Sequence, residues 1–243
     1  MQVRLRTQVI TFCALGDSAL EIKLGSASET GVLERIQVLA SALRKETALW
    51  IIDILPVYGT VAVFYNPIKM PPGTASPYEF ACTWIKALAV KSGVLARRTP
   101  TLNKRAKPVE IPVCYDKSLG QDLESVAAKA KLSIEALIKL HTSVTYHVHA
   151  VGFAPGFPYL AGLSSKLHTP RLQTPRQKVP AGSVGIGGDH TGVYSFSTPG
   201  GWNLIGQTPL TLFDITWDSP ALLHVGDQVI FKAISKEEFS IWK

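Results

Sequence analysis

Cysteine is scarce in this chain of 243 residues. Cys13, Cys82 and Cys114 lie far apart among apolar neighbours and never in a CxxC spacing. So sparse and odd a set argues against a disulfide framework and fits buried thiols in a reducing compartment. Long apolar runs are missing too. The greasiest segment, Trp50 to Tyr65, is interrupted by Asp53, Pro56 and Gly59, well short of the roughly 18 apolar residues a membrane span requires. Met1-Gln2-Val3-Arg4-Leu5-Arg6 lacks the apolar core of a signal peptide. These absences predict a soluble, cytoplasmic protein without a membrane partner.

Acidic residues are absent from one stretch. Lys86, Lys91, Arg97, Arg98, Lys104, Arg105 and Lys107 follow one another with no Asp or Glu between them. Without those seven, 18 basic residues face 18 acidic ones, so the net charge of +7 is local. A nucleic-acid surface needs a basic face with interleaved aromatics or a known motif. This stretch has neither, and reads as a solvated linker or a docking surface for an acidic partner. The nucleotide signatures GxxxxGK[ST] and GxGxxG before a helix are also lacking, so no P-loop holds ATP here.

What is present is a globular composition, 46% hydrophobic and 18% charged, and two halves of different texture. In the first half, Ala19 to Leu24 alternates like a strand. Val32, Ile36, Leu39 and Leu43 stripe one face of a helix over 31–45. Leu49 to Leu55 and Val61 to Tyr65 read as strands. Ser76-Pro77-Tyr78-Glu79 opens a second helix, with serine as cap and proline in the first turn; Phe80, Trp84, Ile85 and Leu88 give it an apolar face. This order predicts a small α+β sandwich with helices on one side of a sheet. Beyond the basic stretch, Val109 to Tyr115 reads as a strand, Asp122 to Ala130 and Ile134 to His141 as helices, and Thr145 to Phe153 as a strand with His147 and His149 on one face. Eleven of the 19 glycines fall between Gly152 and Gly206. Short strands expected at Ser183 to Ile186, Val193 to Phe196, Leu210 to Ile215 and Gln228 to Ala233 then point to a barrel or sandwich. The expected division is an N-terminal α+β domain at 1–96, a basic linker at 97–108 and a β-barrel domain at 109–243.

Three blocks carry candidate chemistry. Gly152-Phe153-Ala154-Pro155-Gly156-Phe157-Pro158-Tyr159-Leu160 turns twice and presents three rings, Phe153, Phe157 and Tyr159, suited to lining a pocket for a planar ligand or to plugging a barrel corner. Thr174-Pro175-Arg176-Gln177-Lys178-Val179-Pro180-Ala181-Gly182-Ser183-Val184-Gly185-Ile186-Gly187-Gly188 places Arg176 and Lys178 on one side of an extended segment. The backbone of Pro180, Ala181, Gly182 and Ser183 follows, and cations beside exposed N–H groups can stabilise an oxyanion; a tight turn with solvated charges is the plainer alternative. In Ser197 to Thr208, Gly200 and Gly201 precede Trp202 and Asn203, an arrangement allowing close ligand approach or simply a filled barrel end. His141 is a candidate acid, base or anchor, or a residue at a helix C-terminus favouring the dipole there. His147 and His149 lack an obvious third ligand, so no metal site is expected.

In this order Gly-Phe-Ala-Pro-Gly-Phe-Pro-Tyr-Leu, Thr-Pro-Arg with Val-Pro-Ala-Gly-Ser-Val-Gly-Ile, and Pro-Gly-Gly-Trp with Leu-Ile-Gly resemble the carboxyltransferase subdomain C/D family. Gly16-Asp17-Ser18-Ala19-Leu20, Ile111-Pro112-Val113-Cys114-Tyr115 and Leu140-His141-Thr142 extend the likeness over nearly the whole chain. That family includes the B subunit of 5-oxoprolinase, Kip-type histidine-kinase inhibitors, the first subunit of allophanate hydrolase and part of urea carboxylase. The resemblance implies an α+β domain followed by a cyclophilin-like β-barrel. It also implies one component of a heteromeric, ATP-dependent 5-oxoprolinase. Such an enzyme needs ATP with Mg2+, shared with a homologous, larger C-type partner and a LamB/YcsF-type partner. The alternatives it leaves are a module that binds a histidine kinase, and a component of urea carboxylase or allophanate metabolism, with biotin on another chain in the urea carboxylase case. One departure stands out: Asp189-His190 replaces the family's basic or amide residue followed by glutamine.

Overall fold

The computed structural model describes residues 2–5, 8–26, 29, 31–95 and 107–242, with side chains from Ile10 onward. The chain divides into two compact units, Met1–Lys104 and Arg105–Lys243. The linker expected at 97–108 lies, apart from Lys107 and Pro108, outside the described residues.

Among the described residues the first unit is an antiparallel sheet with two α-helices and one 3-10 turn. Its strands are β1 (Gln2–Leu5), β2 (Gln8–Ala14), β3 (Ala19–Lys23), β4 (Ile51–Val57) and β5 (Thr60–Tyr65), in the order β1-β2-β3-β5-β4. Strand alternation sends Leu20, Ile22, Val61, Val63 and Tyr65 into the core. There they meet Val32, Ile36, Leu39 and Leu43 of α1 (Val32–Lys45), the stripe expected from spacing, and Ile85 and Leu88 of α2 (Pro77–Lys91). Ser76 caps α2 by accepting the Glu79 N–H at 3.3 Å. Phe80 and Trp84 are only partly buried and set their rings edge-on against Trp50 at 5.8 and 5.2 Å. β1 and β2 are additions to the elements expected from sequence. Cys82 and Cys114 are buried as expected, whereas Cys13, on β2, is exposed.

The second unit is a closed seven-stranded barrel. Its strands are β6 (Val109–Cys114), β7 (Tyr146–Val151), β8 (Pro158–Ala161), β10 (Ser183–Gly187), β11 (His190–Val193), β13 (Asn203–Gln207) and β14 (Gln228–Ile234). They run in the order β10-β11-β8-β7-β14-β6-β13, and β13 closes back on β10. Only β14 and β6 pair in parallel. Closure leaves no barrel edge unpaired. Between β8 and β10, β9 (Arg176–Val179) leaves the barrel and pairs with β12 (Thr198–Gly200) as a separate ribbon. α3 (Leu123–Ala130) and α4 (Ile134–Thr142) pack on β13 and β14, and a short α5 (Lys236–Ile241) ends the fold.

Two expected strands shift. The run read at 193–196 starts earlier, at His190, and ends at Val193; Tyr194 instead turns its ring into an aromatic cluster beneath the ribbon. Residues 210–215 form a loop closed on itself, the Leu222 N–H donating to the Leu212 carbonyl at 2.9 Å and Asp214 N–H to Pro220. Its alternation buries Leu212 without a partner strand beside it.

Candidate functional site

The first and third blocks converge. Phe153, Phe157, Tyr159, Gly200, Gly201 and Trp202, all singled out in the sequence, line one cavity of about 60 Å³ with Arg171 and Tyr194. The turn of 152–157 delivers Phe153 and Phe157, β8 delivers Tyr159, and the ribbon delivers Gly200 to Trp202. Five rings meet edge to face: Phe157 stands 5.0 Å from Tyr159, 5.2 Å from Tyr194, 5.3 Å from Trp202 and 5.5 Å from Phe153. Such contacts hold walls rigid, since each ring's positive edge meets a neighbour's negative face. Phe157, Tyr194 and Trp202 are buried; Phe153 is 63% exposed and forms the rim.

Close approach explains two glycines. A Cβ on Gly187 would lie 2.6 Å from the Trp202 indole, and one on Gly200 would strike the Tyr194 ring. Gly185 and Gly187 of the second block thus make room for Trp202.

That block is otherwise committed elsewhere. The Gly182 N–H donates to the Tyr194 carbonyl at 2.7 Å and Ser183 N–H to Pro180 at 3.3 Å, while the Ala181 carbonyl accepts from the Gln207 side chain. Arg176 is held at 2.8 Å by Asp122 and reaches the Trp202 carbonyl at 3.4 Å. Lys178 is exposed on β9, outside the cavity lining. The expected oxyanion surface of Arg176, Lys178 and 180–183 is therefore not assembled at the cavity.

His141 also stands apart from the cavity, in the barrel core. Tyr115 donates to its Nδ1 at 2.8 Å, and its Nε2 lies 3.0 Å from Thr191 Oγ1. The Thr191 hydroxyl donates to the Gly185 carbonyl, so His141 carries its proton on Nε2 and donates it to Thr191. The ring stacks on Phe231 at 4.6 Å. Complete burial pushes its pKa down to about 3, leaving a neutral strut with both nitrogens engaged.

Asn203 is fully buried on β13; its amide donates to the Pro170 carbonyl at 2.9 Å and to Ile186 at 3.2 Å. It lies behind the cavity, bracing the segment that carries Arg171. His147 and His149 share a half-buried face of β7; burial, with His190 and His147 nearby, lowers the His149 pKa. Among the described residues no set of three His, Cys, Asp or Glu is placed to hold a metal ion. Asp189 and His190, at the departure from the family pattern, hydrogen-bond to each other at 2.7 Å.

Arg171 and Tyr194 are cavity residues that the sequence motifs do not single out. Arg171 has a visible signal: Thr169-Pro170-Arg171 repeats five residues before Thr174-Pro175-Arg176, but only the second copy leads directly into the Val-Pro-Ala-Gly-Ser run. Tyr194 falls inside the strand expected at 193–196. Burial raises its pKa, with the Trp202 backbone N–H and both arginines, 171 and 176, acting in the opposite direction.

Residues 10–223 match the family described as carboxyltransferase domain, subdomain C and D. Over 236 residues the chain is 40% identical to the B subunit of 5-oxoprolinase from Bacillus subtilis (strain 168), covering 94% of this chain and 95% of that protein. The likeness to the corresponding B subunit from Escherichia coli O157:H7 is 55% over 130 residues, 54% of this chain and 60% of that one. The crystal structure of TTHA0988 superposes with a TM-score of 0.75 at 33% identity, over 89% of this chain and 40% of that chain. No helix among the described residues is long and apolar enough to cross a membrane.

Proposed function

The chain belongs to the family of carboxyltransferase domains, subdomain C and D, and from that premise we propose that it is the B-type subunit of a cytoplasmic, heteromeric, ATP-dependent 5-oxoprolinase. The assembled enzyme hydrolyses 5-oxo-L-proline to L-glutamate, and this chain is inactive without its larger C-type partner and its LamB/YcsF-type partner. The observation that carries the reading is the convergence of two separate motif blocks on one rigid aromatic cavity with a cation at its wall. A flat five-membered lactam suits such walls, which contact both faces of a ring and exclude water from its amide.

The catalytic roles expected of His141, Arg176 and Lys178 pass in this proposal to the cavity. Phe157, Tyr159, Tyr194 and Trp202 hold the ring, and Gly200 and Gly201 let the backbone approach it. The described residues offer no carboxylate set for Mg2+ and no P-loop, so the nucleotide and its ion are assigned to the partner proteins and no step is routed through them here.

Co-expression with the two partner types, followed by an assay of ATP-dependent glutamate formation from 5-oxoproline, tests the reading. Turnover by the intact assembly, lost in Trp202→Ala, is expected. An intact assembly that does not turn over removes the proposal.

A further inference from the structure

The cavity contains a cation that no acid neutralises among the described residues. Arg176 nearby is paired with Asp122; Arg171 has no such partner, and its guanidinium lies 5.8 Å over the Trp202 ring. Its backbone is fixed on both sides. The Leu172 N–H donates to the Gly201 carbonyl at 2.7 Å, and the Asn203 amide donates to the Pro170 carbonyl just before it. The Thr169 and Gly188 backbones exchange hydrogen bonds one step further back, at 3.1 and 2.8 Å. So the arginine springs from a braced segment at the edge of the site.

Chemistry then selects the ligand. A guanidinium offers paired N–H donors that match a carboxylate in two parallel bonds. Arg171 is exposed at the cavity mouth, with the Trp202 ring beneath it, so its guanidinium is open to an incoming anion. At about 60 Å³ the cavity lies below the usual range of ligand pockets and excludes anything larger than one small ring. The lining contributes no carboxylate, so a cationic ligand would find no ion-pair partner there and would meet the charge of Arg171.

We propose that Arg171 is the carboxylate anchor of this cavity and that the ligand is a small single-ring monocarboxylate. The inference rests on the cavity reading above and deepens it: the aromatic walls take the ring, Arg171 takes the acid group, and Asn203 is a positioning residue acting through Pro170.

Calorimetric titration of the full chain with 5-oxoproline, cyclopentanecarboxylate and 2-pyrrolidinone tests it. Both carboxylates should bind about tenfold or more tighter than the uncharged lactam. Arg171→Gln should erase that difference without changing the melting temperature, and Arg171→Lys should restore part of it. Asn203→Ser should narrow the difference as well, an effect that loss of stability alone does not produce. Equal binding of pyrrolidinone, or unchanged 5-oxoproline affinity in Arg171→Gln, overturns the anchor while leaving the lactam reading intact. Tight, Arg171-dependent binding of cyclopentanecarboxylate without 5-oxoproline binding keeps the anchor and removes the lactam reading. Absence of heat from all three at millimolar concentration overturns both.

Discussion

The Arg176 guanidinium donates to one oxygen of Asp122 at 2.8 Å, while the other oxygen of that carboxylate accepts the Leu204 N–H at 2.7 Å. Asp122 returns its own N–H to the Leu204 carbonyl, so one residue ties the start of α3 to β13 and to the ribbon. The side chain that sequence marks as a helix start is used for this tertiary lock and does not cap the helix. Arg176→Ala should therefore cost about 1–3 kcal/mol of stability, the worth of a charge-assisted hydrogen bond at a partly exposed site. Asp122→Ala should cost at least as much, since it also orphans the Leu204 N–H, and the double variant should lose less than the sum. Denaturant unfolding of the four proteins checks this. Lost turnover in Arg176→Ala at unchanged stability would return the arginine to the chemistry.

His141 makes stability depend on pH. Its folded pKa of about 3 lies below the ordinary 6.5 because burial disfavours the imidazolium. Below about pH 6.5 the unfolded chain takes up a proton that the folded chain refuses. The contribution is therefore complete above 6.5 and lost as pH falls toward 3, at about 1.4 kcal/mol per pH unit. His141→Asn should be roughly 2–3 kcal/mol less stable at neutral pH, through lost stacking and an imperfect Tyr115–Thr191 bridge. Its stability should also fall less steeply with acid. Identical acid slopes in the two proteins would contradict the neutral-strut assignment.

Trp202 and Gly187 share one volume. Gly187→Ala brings a methyl within 2.6 Å of the indole, and overpacking of this kind costs about 1–3 kcal/mol. The variant should be less stable and show shifted tryptophan emission. Shortening the same ring, in Gly187→Ala/Trp202→Leu, should recover part of the loss. If the double variant is destabilised by the full sum, the two residues are not competing for space.

Most of this architecture is legible in the sequence because burial imposes period. The Val32, Ile36, Leu39 and Leu43 stripe and the alternating β7 leave little choice of face, and Ser76 and Ser133 mark helix starts through side chains that do cap them. Gly/Pro corners announce the barrel and bring six cavity residues into view, because rings beside glycines are needed where walls approach closely. What stays hidden depends on long-range partners. Nothing local tells Arg176, matched to Asp122 54 positions away, from Arg171, which has no acid beside it among the described residues. Nor does local pattern show that His141 is enclosed by Tyr115, Thr191 and Phe231. β1 and β2 escape notice because the alternation of Val3-Arg4-Leu5 is only a few residues long and Val9-Ile10-Thr11-Phe12-Cys13-Ala14 is a nearly continuous apolar run without a period of two.

Phe153 holds a left-handed backbone, φ 69°, with its ring 63% exposed at the rim. A bulky residue in that region is strained by about 1 kcal/mol or more. Its contacts with Phe157 at 5.5 Å and Tyr194 at 6.3 Å still leave most of its surface in water. A ring that closes over a ligand accounts for the retained strain, since its packing energy is realised only in the complex. Phe153→Asn separates the two accounts, because asparagine tolerates the left-handed region while removing the ring. The variant should match or exceed the parent in thermal stability and bind the cavity ligand up to about tenfold more weakly, as expected for one lost aromatic contact. Melting curves and ligand titration of the same preparation read both quantities. A variant that is clearly destabilised and binds normally would make Phe153 a packing residue and leave the rim without a function.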